Sequence, residues 1–165
     1  MKKPALLRAA IAAHLPHLAR DPDKLAMWTD RGNCRAVQTR NRGFAWEYEL
    51  TVVAEDYKHD PALIFFIVVD WLRTQQPDLL APNTPGFTFE VDVLDDKTFD
   101  VKIVLSLREI VTATAVEGGW QLEVVPERDP QFPDAVPLRA AEGPISSIWV
   151  TGTPDPFEVA PDPEG

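Results

Sequence analysis

Cysteine is nearly missing from this chain: Cys34 stands alone among 165 residues, which excludes an intramolecular disulfide and suits a reducing compartment. Histidine is almost as scarce. His14 and His17 flank Pro16 and His59 lies far along the chain, so no spacing supplies a set of zinc ligands. Cys34 has no histidine in a recognisable nucleophile signature. The glycines form no phosphate-cradling pattern, so P-loop nucleotide hydrolysis has no support and no cofactor motif occurs. Asp92, Asp95 and Asp96 lack the glycine and terminal glutamate of a calcium loop and read as a solvated turn. No apolar run reaches the roughly 20 residues of a bilayer span, because Asp70 and Arg73 interrupt the best one. A secretory signal is not expected either, since Arg8, His14, Pro16 and His17 break the N-terminal apolar stretch. Basic residues are in deficit, 16 against 26 acidic, for a net charge of −10. That balance argues against nucleic-acid binding, which draws on Lys and Arg to neutralise phosphates.

Proline, by contrast, is plentiful and unevenly spread: residues 126–165 hold nine of the sixteen. The expected organisation is one folded domain over residues 1–125, followed by a proline-rich, largely irregular tail over 126–165 with an edge strand near 145–150. A chain of this length buries about 70% of its unfolded surface, enough for one real core.

The clearest local signals are a helix and three strands. Asp60-Pro61 is a helix start, with an acceptor at the cap and proline where the missing N–H costs nothing. From Ala62 to Val69 no residue is polar, so this helix needs cover on more than one side, from a core or a subunit interface. Leu7, Ile11, Leu15 and Leu18 predict an amphipathic helix over residues 4–19, strained by Pro16 in its last turn. Phe44, Trp46, Tyr48, Leu50 and Val52 alternate with polar neighbours, as do Phe87 to Val93 and Phe99 to Leu107. Arg31-Gly32-Asn33, Asp95-Asp96-Lys97 and Glu117-Gly118-Gly119 read as hairpin turns. The expected fold class is α+β: an antiparallel or mixed sheet with two helices packed on one face, and the proline-rich tail.

Several fragments carry a resemblance. Pro22 to Leu25 forms a Pro-Asp-Lys-Leu element; Trp28, Asp30 and Gly32 form Trp-x-Asp-x-Gly; the central helix closes with Trp71-Leu72-Arg73 and Gln76-Pro77-Asp78-Leu79-Leu80. Together with the aromatic strand at 44–53 and the strand pair at 87–109, in this order, the chain resembles the tail completion protein R family of temperate, contractile-tailed bacteriophages. The resemblance covers roughly residues 1–125 and leaves the tail unplaced. It implies a structural, tail-terminator-like protein rather than an enzyme, from a phage or prophage, capping the head-proximal end of the tail tube and enabling head-tail joining. It further implies a virion-tail location with assembly in the host bacterial cytoplasm. The implied partners are the tail tube protein and a second tail completion or head-tail connector protein, with no membrane and no sequence-specific nucleic-acid binding. Matching a six-fold tube makes a homo-hexameric ring the simplest assembly.

Charge is segregated along the chain. Residues 1–43 carry nine Lys or Arg against three Asp, whereas residues 44–125 carry five against fifteen. Arg31, Arg35, Arg40 and Arg42 therefore face an acidic partner, a neighbouring copy or only water. Asp70, Trp71, Arg73 and Gln76, at the end of the central helix, complete the candidate interface. Glu47, Glu49, Glu90, Asp92 and Asp100, with the Asp95-Asp96 turn, form the acidic non-core side of the sheet. They line a ring's lumen or sit on its outer wall. Two alternatives belong to other classes: a monomeric binding module docking through its proline-rich tail, and a hydrolase using Glu47, Glu49, Glu90 and Asp92 as acid and base.

Overall fold

Pro16 divides the expected N-terminal helix. The computed structural model describes residues 1–38, 42–95, 97–127, 147–152, 155, 157 and 158. In it, α1 (Lys3–His14) and α2 (Pro16–Arg20) replace the single helix predicted over 4–19. A residue before proline is pushed out of the helical region, and Leu15 sits at φ −117°, ψ 80°, leaving Pro16 to open a new helix. The apolar stripe survives the break, because Leu7, Ile11, Leu15 and Leu18 are all buried.

The second correction concerns Arg31-Gly32-Asn33, which is no hairpin turn. β1 (Leu25–Ala36) runs straight through it, paired antiparallel with β2 (Phe44–Tyr57). Thr29 faces Leu50 while Gly32 faces Tyr48, so β1 carries one extra residue, a β-bulge. Gly32 serves close approach there: a Cβ on it would lie 3.1 Å from the Glu47 carbonyl oxygen and from the Tyr48 Cβ. Trp28 and Asp30 meet on the sheet surface, the indole N–H donating to Asp30 Oδ1 at 2.9 Å. The Trp-x-Asp-x-Gly pattern thus records a side-chain bond followed by a bulge.

The central helix follows its signal. α3 (Pro61–Gln75) is capped by Asp60, whose carboxylate accepts the Ala62 N–H at 2.8 Å. Ile64, Ile67, Val68, Trp71 and Leu72 form its buried stripe. Next come β3 (Thr88–Asp95), β4 (Thr98–Val116) and β5 (Gly119–Val124). β4 is a single strand of 19 residues that runs past Glu109, where the expected strand pair at 87–109 ends. Glu109 occupies a core-facing position and is 1% exposed. Its carboxylate accepts from the Tyr48 hydroxyl at 2.5 Å and from the Lys2 backbone N–H at 2.8 Å, so the strand continues through it.

The sheet is antiparallel with strand order β1-β2-β4-β3, and β5 also pairs with β4. Val111 faces Phe44 on one edge and Val124 on the other, so β5 shares with β3 the edge of β4 away from β2. Helices α1, α2 and α3 supply the other half of the core, packing on Leu50, Val52, Ile103, Leu105 and Leu107; each such side chain contributes about 1.5–3 kcal/mol when buried. In the tail, β6 (Ser147–Ile148) pairs with β7 (Phe157–Glu158) as a second, two-stranded sheet.

Where neither β3 nor β5 covers the edge of β4, Gln76 does. Its Oε1 accepts the Arg108 backbone N–H at 3.0 Å and the Lys3 ammonium at 2.6 Å, while its amide donates to Asp78 at 2.5 Å. Gln76 is 3% exposed. One side chain thereby joins the end of α3, the start of α1 and a strand edge. Replacing Gln76 with Leu leaves the Arg108 backbone N–H unpaired and the Lys3 ammonium with Glu127 alone, and costs about 1–3 kcal/mol of stability, read by urea denaturation. The neighbouring Gln75→Leu stays within about 0.5 kcal/mol of the parent.

Candidate functional site

Period-2 alternation puts the acidic residues on the face away from the helices. Glu47 and Glu49 of β2 stand opposite Arg108 and Ser106 of β4; Glu90 and Asp92 of β3 stand opposite Lys102 and Asp100. The ion pairs on this face are the exposed kind that contribute little: Lys102 to Glu90 at 3.2 Å and Arg35 to Glu47 at 3.8 Å. Asp92 and Asp100 oppose one another directly, a repulsive pairing. Asp100 offsets it by accepting the Asp56 N–H at 2.9 Å. At the turn, the Lys97 backbone N–H donates to Asp95 at 2.8 Å and holds that carboxyl below its ordinary pKa. Asp96 lies outside the described residues. A depression of about 870 Å³ runs between the β1 bulge and the end of α3, with Asp30, Arg31, Glu47, Glu49, Asp78 and Arg108 in its lining. Among the described residues, no three His, Cys, Asp or Glu side chains gather as metal ligands.

The candidate interface residues divide by burial. Arg31, Arg35, Arg42 and Arg73 are exposed, and the Arg42 guanidinium lies 4.9 Å over the Trp120 ring. Arg40 lies outside the described residues. Asp70 is half-buried. Trp71 belongs to the buried stripe of α3, and Gln76 is committed to the internal bonds described above. The second face of α3 is only partly covered: Phe65 meets Phe89 at 4.7 Å and Phe87 at 6.0 Å between ring centroids, while Phe66 stays exposed.

Sequence reasoning missed an aromatic cluster that ties the tail segment to the domain. His17 and His59 rings lie 4.7 Å apart, and Phe157 of β7 packs on His59 at 4.9 Å, with Tyr57 alongside. Residues so distant in sequence leave no local pattern; only the spacing of His17 on the helical stripe next to Leu18 hints at an inward ring. Burial, reinforced by His59 and by Arg20 and Lys24, lowers the His17 pKa to about 4; burial lowers that of His59 as well. Burial also pushes the Tyr57 hydroxyl above its ordinary value.

Comparison with known proteins follows the same boundaries. Residues 1–128 match the model of the family described as P2 phage tail completion protein R (GpR). The chain is similar to the tail completion protein R of Escherichia phage P2, with 31% identity over 153 residues, spanning 90% of this chain and 99% of that protein. No solved structure matches it.

The histidine pair sets a pH response. Both folded pKa values lie below the ordinary 6.5, so acid protonates the unfolded chain first. The pair's contribution is fully present above about pH 6.5 and is lost as pH falls toward about 4. Urea midpoints measured across this window decline, and the His17→Phe, His59→Phe double variant declines less steeply.

Proposed function

This chain belongs to the P2 phage tail completion protein R family, and on that premise we propose that it completes a phage or prophage tail as a structural ring. The ring caps the head-proximal end of the tail tube and enables the tail to join a filled head. The observation that carries this reading is the extent of the match: residues 1–128 include α1 to α3 and all of the main sheet, so the whole helix-covered sheet is the family's domain. The role is structural rather than enzymatic. Its partners are the tail tube protein on one side and a second tail completion or connector protein on the other, in the virion tail after assembly in the bacterial cytoplasm.

A cap on a six-fold tube is most simply a hexamer with head-to-tail contacts. In that assembly Arg31, Arg35, Arg42 and Arg73 meet neighbouring subunits. The acids Glu47, Glu49, Glu90, Asp92 and Asp100 serve DNA passage if they line the channel, because a basic lining holds phosphates in place. On the outer wall the same acids keep the particle soluble.

The assembly is tested by mass and by function. Native mass measurement gives six times the 18.4 kDa chain; tails made without the chain fail to join filled heads, and adding it restores joining. Arg73→Ala lowers the ring fraction while leaving the circular dichroism spectrum unchanged. A particle of unaltered mass counts against the Arg73 contact, and a channel wall built mainly of arginines counts against the acidic lumen.

A further inference from the structure

The strap formed by β6 and β7 lies past residue 128, where the family match ends, and belongs to a sheet of its own. Its strands are joined by only two cross-strand pairs, Ser147 with Glu158 and Ile148 with Phe157. An isolated two-stranded hairpin is marginal in water even when longer. The strap therefore takes its order from what it rests on.

It rests on a set of rings. Phe157 stands edge-on to His59 at 4.9 Å and to His17 at 6.4 Å, and it packs against the main core. His17 belongs to α2, whereas Tyr57 ends β2 and His59 follows before α3 begins, so one phenyl ring bridges two parts of the domain. The seat is not tight. A cavity of about 540 Å³ follows the seam, with His17, His59 and Leu63 on the domain side and Ile148, Val150 and Phe157 on the strap side. Two polar atoms are shut in at this seat: His17 Nε2 and the Tyr57 hydroxyl are buried with no hydrogen-bond partner among the described residues.

A neutral imidazole tolerates this position far better than a protonated one. Protonation of His17 puts a charge and a new donor where Nε2 has no acceptor, and a buried, unpaired charge is costly. The surrounding charges do not compensate. Arg20 at the end of α2, Lys24 just past it and Lys58 beside His59 repel a second cation, against Asp60 and the strap's own Asp155. Asp60 already holds the Ala62 N–H at the start of α3. Burial and Asp60 together keep the Tyr57 hydroxyl protonated, so it offers no negative charge. Water relieves a charged ring, and water reaches the pair freely only when the strap is gone.

We propose that the β6–β7 strap is a conditional clasp: it docks through Phe157 on the neutral His17–His59 pair and lifts off when the pair takes up a proton, while the domain beneath stays folded. Such an opening is local rather than global. Its direction follows from the lowered proton affinity of both rings in the closed state. Closure is complete above about pH 6.5 and is lost as the pH falls toward about 4.

The test places a fluorine on the Phe157 ring of the full chain and follows its NMR signal, which separates docked from released strap, while circular dichroism follows the domain. Between about pH 7.5 and about pH 5 the ratio of docked to released strap falls at least about tenfold, and the circular dichroism spectrum does not change. The His17→Phe, His59→Phe double variant stays docked at the lower pH. The single His59→Gln variant, a smaller change at a half-buried position, moves release to lower pH and gives the same answer should the double variant not fold. A parent strap that is equally docked at both pH values overturns the clasp, as does one already released at the higher pH. It is overturned too if the histidine variants release in step with the parent, or if the domain's circular dichroism is lost at the same midpoint as the fluorine signal, which makes the event global unfolding.

Discussion

β4 can run unbroken through the core only because Glu109 is satisfied there. A carboxylate at a core position ends most strands, since a buried, unpaired charge is costly. Here the Tyr48 hydroxyl and the Lys2 backbone N–H meet it. Burial and this same bond push the Tyr48 hydroxyl above its ordinary pKa, keeping it a donor. With the strand intact, β4 pairs with β2 along one edge and with both β3 and β5 along the other. The helical layer then covers β4 from Val101 to Val111 and leaves the β4–β5 hairpin beyond it exposed. Core, edge and overhang all descend from one tolerated carboxylate.

Continuity creates a second requirement. Between the stretches paired to β3 and β5, the edge of β4 has backbone groups with no strand beside them. Gln76 answers for Arg108, and its position just after α3 is what makes this possible. The Lys3 ammonium, held by Gln76 and by Glu127 at 2.6 Å, locks α1 to the same point. Polar groups so arranged rigidify the fold because every member has a partner.

Local chemistry was readable wherever a local rule governs. Asp60-Pro61 announced α3, and period-2 alternation assigned the faces of β2 and β4, including the outward placement of Glu47, Glu49 and Asp100. The errors share a cause. Pro16 reads as strain at a helix end but in fact starts a new helix, and Gly32 reads as a turn residue though the structure needs it for closeness to Tyr48. In each case the residue's preference was right and the neighbour deciding its use came from another element. Gln76 with Lys3, 73 residues apart, and His17 with Phe157 have no local signature at all.

Segregated charge gains its meaning from strand order. β1 and β3 lie at opposite edges of the β1-β2-β4-β3 sheet, about 14 Å apart at roughly 4.8 Å per strand. The Debye length at physiological salt is about 8 Å, so the arginines of β1 and the acids of β3 scarcely neutralise one another within a chain. Lys102 and Glu47 illustrate the exception: they find partners only on an adjacent strand, Glu90 and Arg35 respectively. The remaining charge is left for whatever approaches each edge. Such polarity orients a charged partner before contact, which favours encounter in one relative direction. In the ring proposed above, that polarity would disfavour like edges meeting and so favour head-to-tail contacts.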